Sequence, residues 1–165
     1  MVDDFITLSK PSDEWTLVAE LSSPPLQVWK FNTKENMFKV IAELDASPHL
    51  ALDILGDILR RKEWDELCEE SRVIEKIDAA TRVQYMKTKA IWPTSSRDVV
   101  VLAYVGRYQE GFINVTRSVE HDGCPLNDSV AIRMDASIAG QIIMPAESGD
   151  PNKCRVIQVA DGDLK

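Results

Sequence analysis

The sequence predicts an α+β domain, in which a long, curved antiparallel sheet carries helices on one side. Three observations predict it. Period-2 alternation of apolar and polar residues dominates the chain after residue 80. Three more strand-like runs precede residue 45. Between the two groups stands one well-marked helix start, Ser47-Pro48, followed by a short second helical stretch.

The elements follow in order. Residues 15–21 and 26–31 read as two strands joined by Ser22-Ser23-Pro24-Pro25, and residues 37–44 read as a third. Ser47 is a good N-cap, and Pro48 suits the first helical position, where its missing N–H costs nothing. The helix is expected over residues 48–59, with Leu50, Ile54, Asp57 and Ile58 at helical spacing. A second short helix is expected over 61–68, with Glu66, Glu69 and Glu70 on a solvated face. Residues 81–89 alternate like a half-buried strand, and residues 98–107 form a β-branched run buried on both faces. The turn Gln109-Glu110-Gly111 leads into residues 112–119, completing a hairpin. A loop at 120–127 holds Gly123 and Pro125, and strands resume over 130–144 and 154–160, joined by a turn at 145–152.

Composition bounds the function. The chain of 165 residues is one domain's worth, with 44% hydrophobic and 28% charged residues, enough for a packed core. Lys and Arg number 19 against 27 Asp and Glu, a net charge of −8. That sign excludes general nucleic-acid binding and a membrane grip resting on bulk positive charge. The longest uncharged stretch is 11 residues, 136–146, whereas a membrane-spanning helix needs about 20. The acidic start Met1-Val2-Asp3-Asp4 has no apolar signal region, and Val2 excludes N-myristoylation. Cys68, Cys124 and Cys154 are odd in number and widely spaced, which fits reduced thiols and a cytoplasmic setting.

The search for catalytic chemistry returns little. His49 and His121 lie 72 positions apart, and no metal-ligand spacing is present, so neither metal nor cofactor is expected. His121-Asp122-Gly123-Cys124 places a His beside a Cys on what reads as a polar loop. No nucleophile elbow, phosphate loop or dinucleotide fingerprint occurs among the seven glycines, so no catalytic residue is assigned and no enzyme is expected. The strand faces are more informative. Gln84, Met86 and Thr88 share one face, as do Phe112, Asn114, Thr116 and Ser118, and Val156 and Gln158. Such mixed faces fit either a cavity with polar anchors or a solvated surface, and alternation alone leaves both open.

One segment carries a resemblance. Ile91-Trp92-Pro93-Thr94-Ser95-Ser96-Arg97-Asp98, ahead of an apolar strand, resembles the core motif of the START lipid-transfer domains. Further matches keep the family's order: Arg61-Lys62-Glu63-Trp64-Asp65, Ser118-Val119-Glu120-His121-Asp122 with Cys124-Pro125-Leu126-Asn127, and Gly140-Gln141-Ile142-Ile143. The resemblance spans 12–165, is strongest over 57–144, and is nearest to the ceramide-carrying members. It implies a helix-grip fold, in which a curved sheet wraps a long C-terminal helix with one lipid between them. It also implies a non-enzymatic carrier that moves that lipid between membranes.

Carried over position by position, the resemblance puts the acid that accepts from ceramide hydroxyls at Asp65, with Arg61 one turn earlier to orient it. The family's amide falls at Met86, its asparagine at Thr116 and its tyrosine at Gln158. Three of these four positions keep hydrogen-bonding ability and none keeps the residue. Met86 and Ala103 lack the Glu and Arg of the sterol carriers, and Met86 lacks the aromatic ring of the phosphatidylcholine carrier. Trp92 and Pro93 fall on the family's membrane-dipping loop. Trp15, Trp29 and Trp64 are expected in the core, and Arg97-Asp98 as a structural ion pair. The family continues past Leu164-Lys165 with its lid helix. A single domain over 1–165, truncated at that end, is therefore expected, with an open groove that a second copy would cover as a dimer. The partners implied are a ceramide-like or diacyl lipid and, transiently, a membrane surface, for a cytoplasmic protein peripheral at membranes. The alternative is a lipid-sensing regulatory or interaction module that does not carry out transfer. An enzyme subunit ranks last.

Overall fold

The structure is a computed structural model that describes residues 1–163. Leu164-Lys165, where the expectation of a missing lid helix rests, lies outside the described residues. Ten strands form one sheet in the order β1-β2-β3-β10-β9-β7-β6-β5-β4, with β8 paired off this path to β6. The N-terminal meander is β1 (Trp15–Ser22), β2 (Pro25–Phe31) and β3 (Met37–Leu44). The other half runs through β4 (Cys68–Lys76), β5 (Thr81–Thr88), β6 (Arg97–Tyr108), β7 (Gly111–Ser118) and β9 (Asp135–Pro145). The last strand, β10 (Cys154–Asp163), lies between β3 and β9 and joins the two halves into one surface.

Helices cover both faces, not one as expected. Alternation along β7 sends Phe112 to one side and Ile113 and Val115 to the other. An unexpected helix, α1 (Val2–Ser9), packs on the Ile113 side, where Phe5 is fully buried among Trp15, Phe31, Met37 and Val159. Burying a side chain of that size contributes about 2–3 kcal/mol. Asp3 and Asp4 in its first turn favour the positive end of the helix dipole. On the Phe112 side, α2 (Pro48–Leu55) sets Ala51 against Phe112, Ile143, Cys154 and Val156.

The α2 start is as read: the Ser47 side chain accepts from the Leu50 N–H at 3.2 Å. Its end is not. The helix stops at Leu55, because the Asp57 carboxylate accepts from the Leu59 N–H at 2.9 Å and begins a new 3₁₀ turn, Ile58–Arg60. A one-turn α3 follows over Arg61–Trp64. The expected helix to residue 68 gives way to strand β4, so Glu69 and Glu70 sit on an edge strand and not on a helix face. Register shifts at Cys68/Glu70 and Val73/Glu75 interrupt its alternation, and its charged residues protect an unpaired edge.

The strand expected over 130–144 is divided. β8 (Ile132–Arg133) pairs in parallel with Arg97 and Asp98 of β6 before β9 begins. Arg133 grips the buried Asp98 carboxylate with two bonds, Nε–Oδ1 at 2.7 Å and Nη2–Oδ2 at 3.1 Å. The expected Arg97–Asp98 pair is therefore corrected: the partner of Asp98 is Arg133, and Arg97 donates to the Ser95 carbonyl at 2.9 Å. Trp15 is in the core, edge-on to Phe31, and Trp29 is half-buried. Trp64 is not in the core: it lies at the surface under the Arg61 guanidinium and donates to the Ile54 carbonyl at 3.2 Å. Among the described residues no helix is long and apolar enough to cross a membrane.

Candidate functional site

The α2 side of the sheet builds a cavity. Row by row, register fixes what it presents. Under α2 the row is Phe112–Ile143–Val156, wholly apolar. One row on, Asn114, Gln141 and Gln158 stand side by side on β7, β9 and β10. The Asn114 side-chain amide donates to Gln141 Oε1 at 3.2 Å. The next row is Ala103–Thr116–Ala139–Ala160, where small residues leave room and Thr116 Oγ1 donates to the Ala139 carbonyl at 3.2 Å. Met86 and Gln84 of β5 and Val99 and Val101 of β6 continue the surface.

The space is about 390 Å³ and partly open to solvent, with residues 55–58 and Arg61 along one side. That lies toward the small end of ligand pockets, which run from about 300 to 1,000 Å³. Gln84 and Gln141 are only 5% and 6% exposed. They are uncharged and polar and sit near Met86, Val99, Val101 and Ala139, while Arg61 and the carboxylates of Asp57, Asp135, Asp161 and Asp163 bring charge to the rest of the lining. Gly140 lines it too: a Cβ there would run into the Asn114 carbonyl oxygen, so only glycine lets β7 and β9 close behind the polar row.

Four of the five lipid-contact residues expected from the sequence meet here: Arg61, Met86, Thr116 and Gln158 all line the cavity. Asp65 does not. Its Oδ2 accepts from Arg61 Nε at 2.7 Å and its Oδ1 from the Leu67 N–H at 3.1 Å. It holds the guanidinium that faces the cavity, with the Trp64 ring stacked against that guanidinium at 4.2 Å. Gln84 and Asn114 were legible as members of strand faces, and Gln141 only as part of a motif, none of them as a site. Cross-strand register, which brings Asn114, Gln141 and Gln158 into one row, is the missing signal.

Trp92 and Pro93 lie apart, on the loop over 89–96 that leaves the Met86–Val99 end of the sheet. The loop is tied at its base, where Ser96 Oγ donates to the Thr88 carbonyl at 2.6 Å and the Arg97 N–H to Thr88 Oγ1 at 3.1 Å. At its tip the Thr94 N–H closes on the Ile91 carbonyl at 2.7 Å, across a cis Trp92–Pro93 bond. Trp92 is 92% exposed, beside an exposed Ile91. A rigid base thus holds a bare indole in solvent.

The His121–Cys124 segment builds no nucleophile–base pair. His121 Nε2 meets Glu75 Oε2 at 2.8 Å while its Nδ1 accepts from the Gly123 N–H at 3.0 Å. Cys124 Sγ instead lies 3.8 Å from guanidinium nitrogens of Arg72 and Arg133. Among the described residues no three His, Cys, Asp or Glu side chains gather as a metal site.

Solved structures share this architecture. Human STARD10 superposes with a TM-score of 0.88 at 23% identity, covering 99% of this chain and 66% of that one. Human StAR-related lipid transfer protein 5 gives 0.88 at 20% identity, covering 99% and 79%. In sequence, a Dictyostelium discoideum F-box/WD repeat-containing protein A-like protein is 32% identical over 117 residues, 67% of this chain. The Xenopus tropicalis ceramide transfer protein is 29% identical over 168 aligned positions, 89% of this chain. The chain spans only 10% and 27% of the lengths of these two relatives. Residues 10–165 match the family model of the START domain, and the chain belongs to that family of lipid-binding and lipid-transfer domains.

Proposed function

We propose that the chain binds one ceramide-like or diacyl lipid on the α2 side of the sheet and transfers it between membranes without catalysis. One observation carries this reading: the uncharged polar row Asn114–Gln141–Gln158, with Gln84 and Thr116, set beside Met86, Val99, Val101 and Ala139 in one cavity, with Gln158 at its exposed end. Hydroxyl, amide and ester head groups exchange hydrogen bonds with such a row, whereas buried amides facing a bare hydrocarbon would go unpaired. Arg61 caps the head group, and Asp65 acts through it by fixing its direction. Met86, unbranched and adaptable, fits around the ligand and leaves its class broad. Each buried methylene adds about 0.8 kcal/mol. About 390 Å³ holds a head group and the first methylenes, so the chains extend along the face beyond it. Trp92 and Pro93 touch the bilayer interface during exchange, with the indole's apolar body inserted and its N–H left wet.

Transfer of labelled ceramide and phosphatidylcholine between neutral vesicles tests the reading, with Asp65→Ala as the variant. The expected result is transfer by the wild type, and a larger loss for ceramide, whose head group carries free hydroxyls, than for phosphatidylcholine in the variant. Equal losses for both would remove Asp65 from head-group selection. The 29% identity to a ceramide transfer protein favours the hydroxylated head group. Binding without transfer would move the protein to the sensing role.

A further inference from the structure

On the opposite face of the sheet, residues 9–13 cross between α1 and β1 and leave a cleft of about 760 Å³. Its walls are apolar and aromatic: Trp15, Trp29, Ile41, Ile142, Met144 and Ile157. Within it lies Lys39, only 2% exposed. The Lys39 ammonium donates to the Lys10 carbonyl at 3.0 Å, reaches the Leu8 carbonyl at 3.5 Å, and lies 4.2 Å over the Trp15 ring. Among the described residues no carboxylate comes within 4.0 Å of it. Glu147, at the rim, is held instead by Arg155 at 2.8 Å. Lys39's cross-strand neighbour, Trp29, lines the same cleft, and its indole N–H is buried with no partner.

A buried cation without a counter-charge and a buried donor without an acceptor are each costly. Here both occur side by side, and both ask for the same thing, an anionic acceptor. Of the charged groups in the lining, Lys39 alone is buried, and its ammonium with the Trp29 N–H matches a singly charged group, while the surface residues Lys10, Asp13, Glu147 and Arg155 balance one another in charge. The apolar walls ask for an apolar body on that anion.

We infer that this cleft is a second ligand site, separate from the lipid cavity, and that it takes an amphipathic carboxylate. The carboxylate meets the Lys39 ammonium and the Trp29 N–H, and the apolar body lies along Ile142, Met144 and Ile157. Burial holds the free Lys39 down at about 8, and a bound anion would raise it, so binding near pH 8 takes up a proton.

The test uses dodecanoate as the probe and dodecanol as its uncharged counterpart, followed by calorimetry and by the indole N–H resonances of the labelled chain. The expected result is one-to-one dodecanoate binding that moves the Trp29 and Trp15 indole signals and leaves Trp92 in place. Lys39→Met should weaken dodecanoate by about tenfold or more while leaving dodecanol unchanged. Trp29→Phe should cost dodecanoate severalfold. Met86→Trp, which fills the other cavity, should leave dodecanoate binding intact. An unmoved Trp29 signal in the wild type would overturn the proposal without recourse to any variant. So would dodecanoate binding lost in Met86→Trp, or binding undiminished in Lys39→Met. The outcome is independent of whether the α2-side cavity carries lipid.

Discussion

Lys39 gives a prediction whose size follows from the structure. Its ammonium is buried on the α1 side of the sheet with carbonyl oxygens and an aromatic face for company, and desolvation pulls it from 10.5 to about 8. Each unit by which a folded-state value departs from the unfolded one is worth about 1.4 kcal/mol. The drop corresponds to about 3 kcal/mol, fully felt below pH 8, where both states are protonated. Between pH 8 and 10.5 the unfolded chain binds a proton that the folded chain has released, so stability rises with pH. Above 10.5 both states are neutral and the penalty is gone. Other groups move in the same range: burial raises the Cys154 thiol, and that term lowers stability in alkali. The experiment is therefore a difference, urea unfolding of wild type and Lys39→Met from pH 7 to 10.5. The wild type should gain about 3 kcal/mol on the variant across that range. Parallel curves would refute the buried, unneutralised ammonium.

Three further perturbations probe other parts of the molecule. Asp98→Ala leaves the half-buried Arg133 guanidinium with only the Cys124 carbonyl and thiol beside it and loosens the β6–β8 junction, so urea unfolding should show a loss of about 3 kcal/mol. A loss below about 1 kcal/mol would show that water takes over the pair. Gly140→Ala drives a Cβ into the Asn114 carbonyl and should cost about 1–3 kcal/mol, read as a lower Tm. An unchanged Tm would mean that β7 and β9 part freely. Trp92→Ala removes a fully solvated ring, so stability should hold within about 0.5 kcal/mol while vesicle transfer slows. An unaltered rate would show that the loop does not enter the bilayer.

Strands β5 and β7, through their alternation, and β6, through its β-branched apolar run, were legible from residue types alone. So was the α2 start, where Ser47 and Pro48 act locally. What sequence reasoning missed was set by contacts distant in the chain. Helix α1 is eight residues long, too short to stand alone, and exists because Phe5 finds a slot built from β1, β3, β7 and β10. Strand β4 was hidden by two bulges and its charges. Arg133 could not be matched to Asp98 before the short β8 brought them together across 35 positions. In the site, Met86, Thr116 and Gln158 fell into one cavity as expected, because period-2 faces and family position agreed. Asp65 did not, because the one-turn α3 aims it at Arg61. The Lys39 cleft had no sequence signal: a lone Lys in an apolar strand reads as an edge charge until the fold closes over it.

The central claim is that the α2 side of the sheet holds one lipid. Native mass spectrometry of the chain, after exposure to a mixed panel of ceramide, phosphatidylcholine and sterol, tests it most directly. A one-to-one ceramide or diacyl adduct is predicted, lost in Met86→Trp, whose indole fills the cavity, and kept in Lys39→Met, which touches only the opposite face. A folded wild-type chain that takes up no lipid from the panel, or an adduct that survives Met86→Trp unchanged, would contradict the claim.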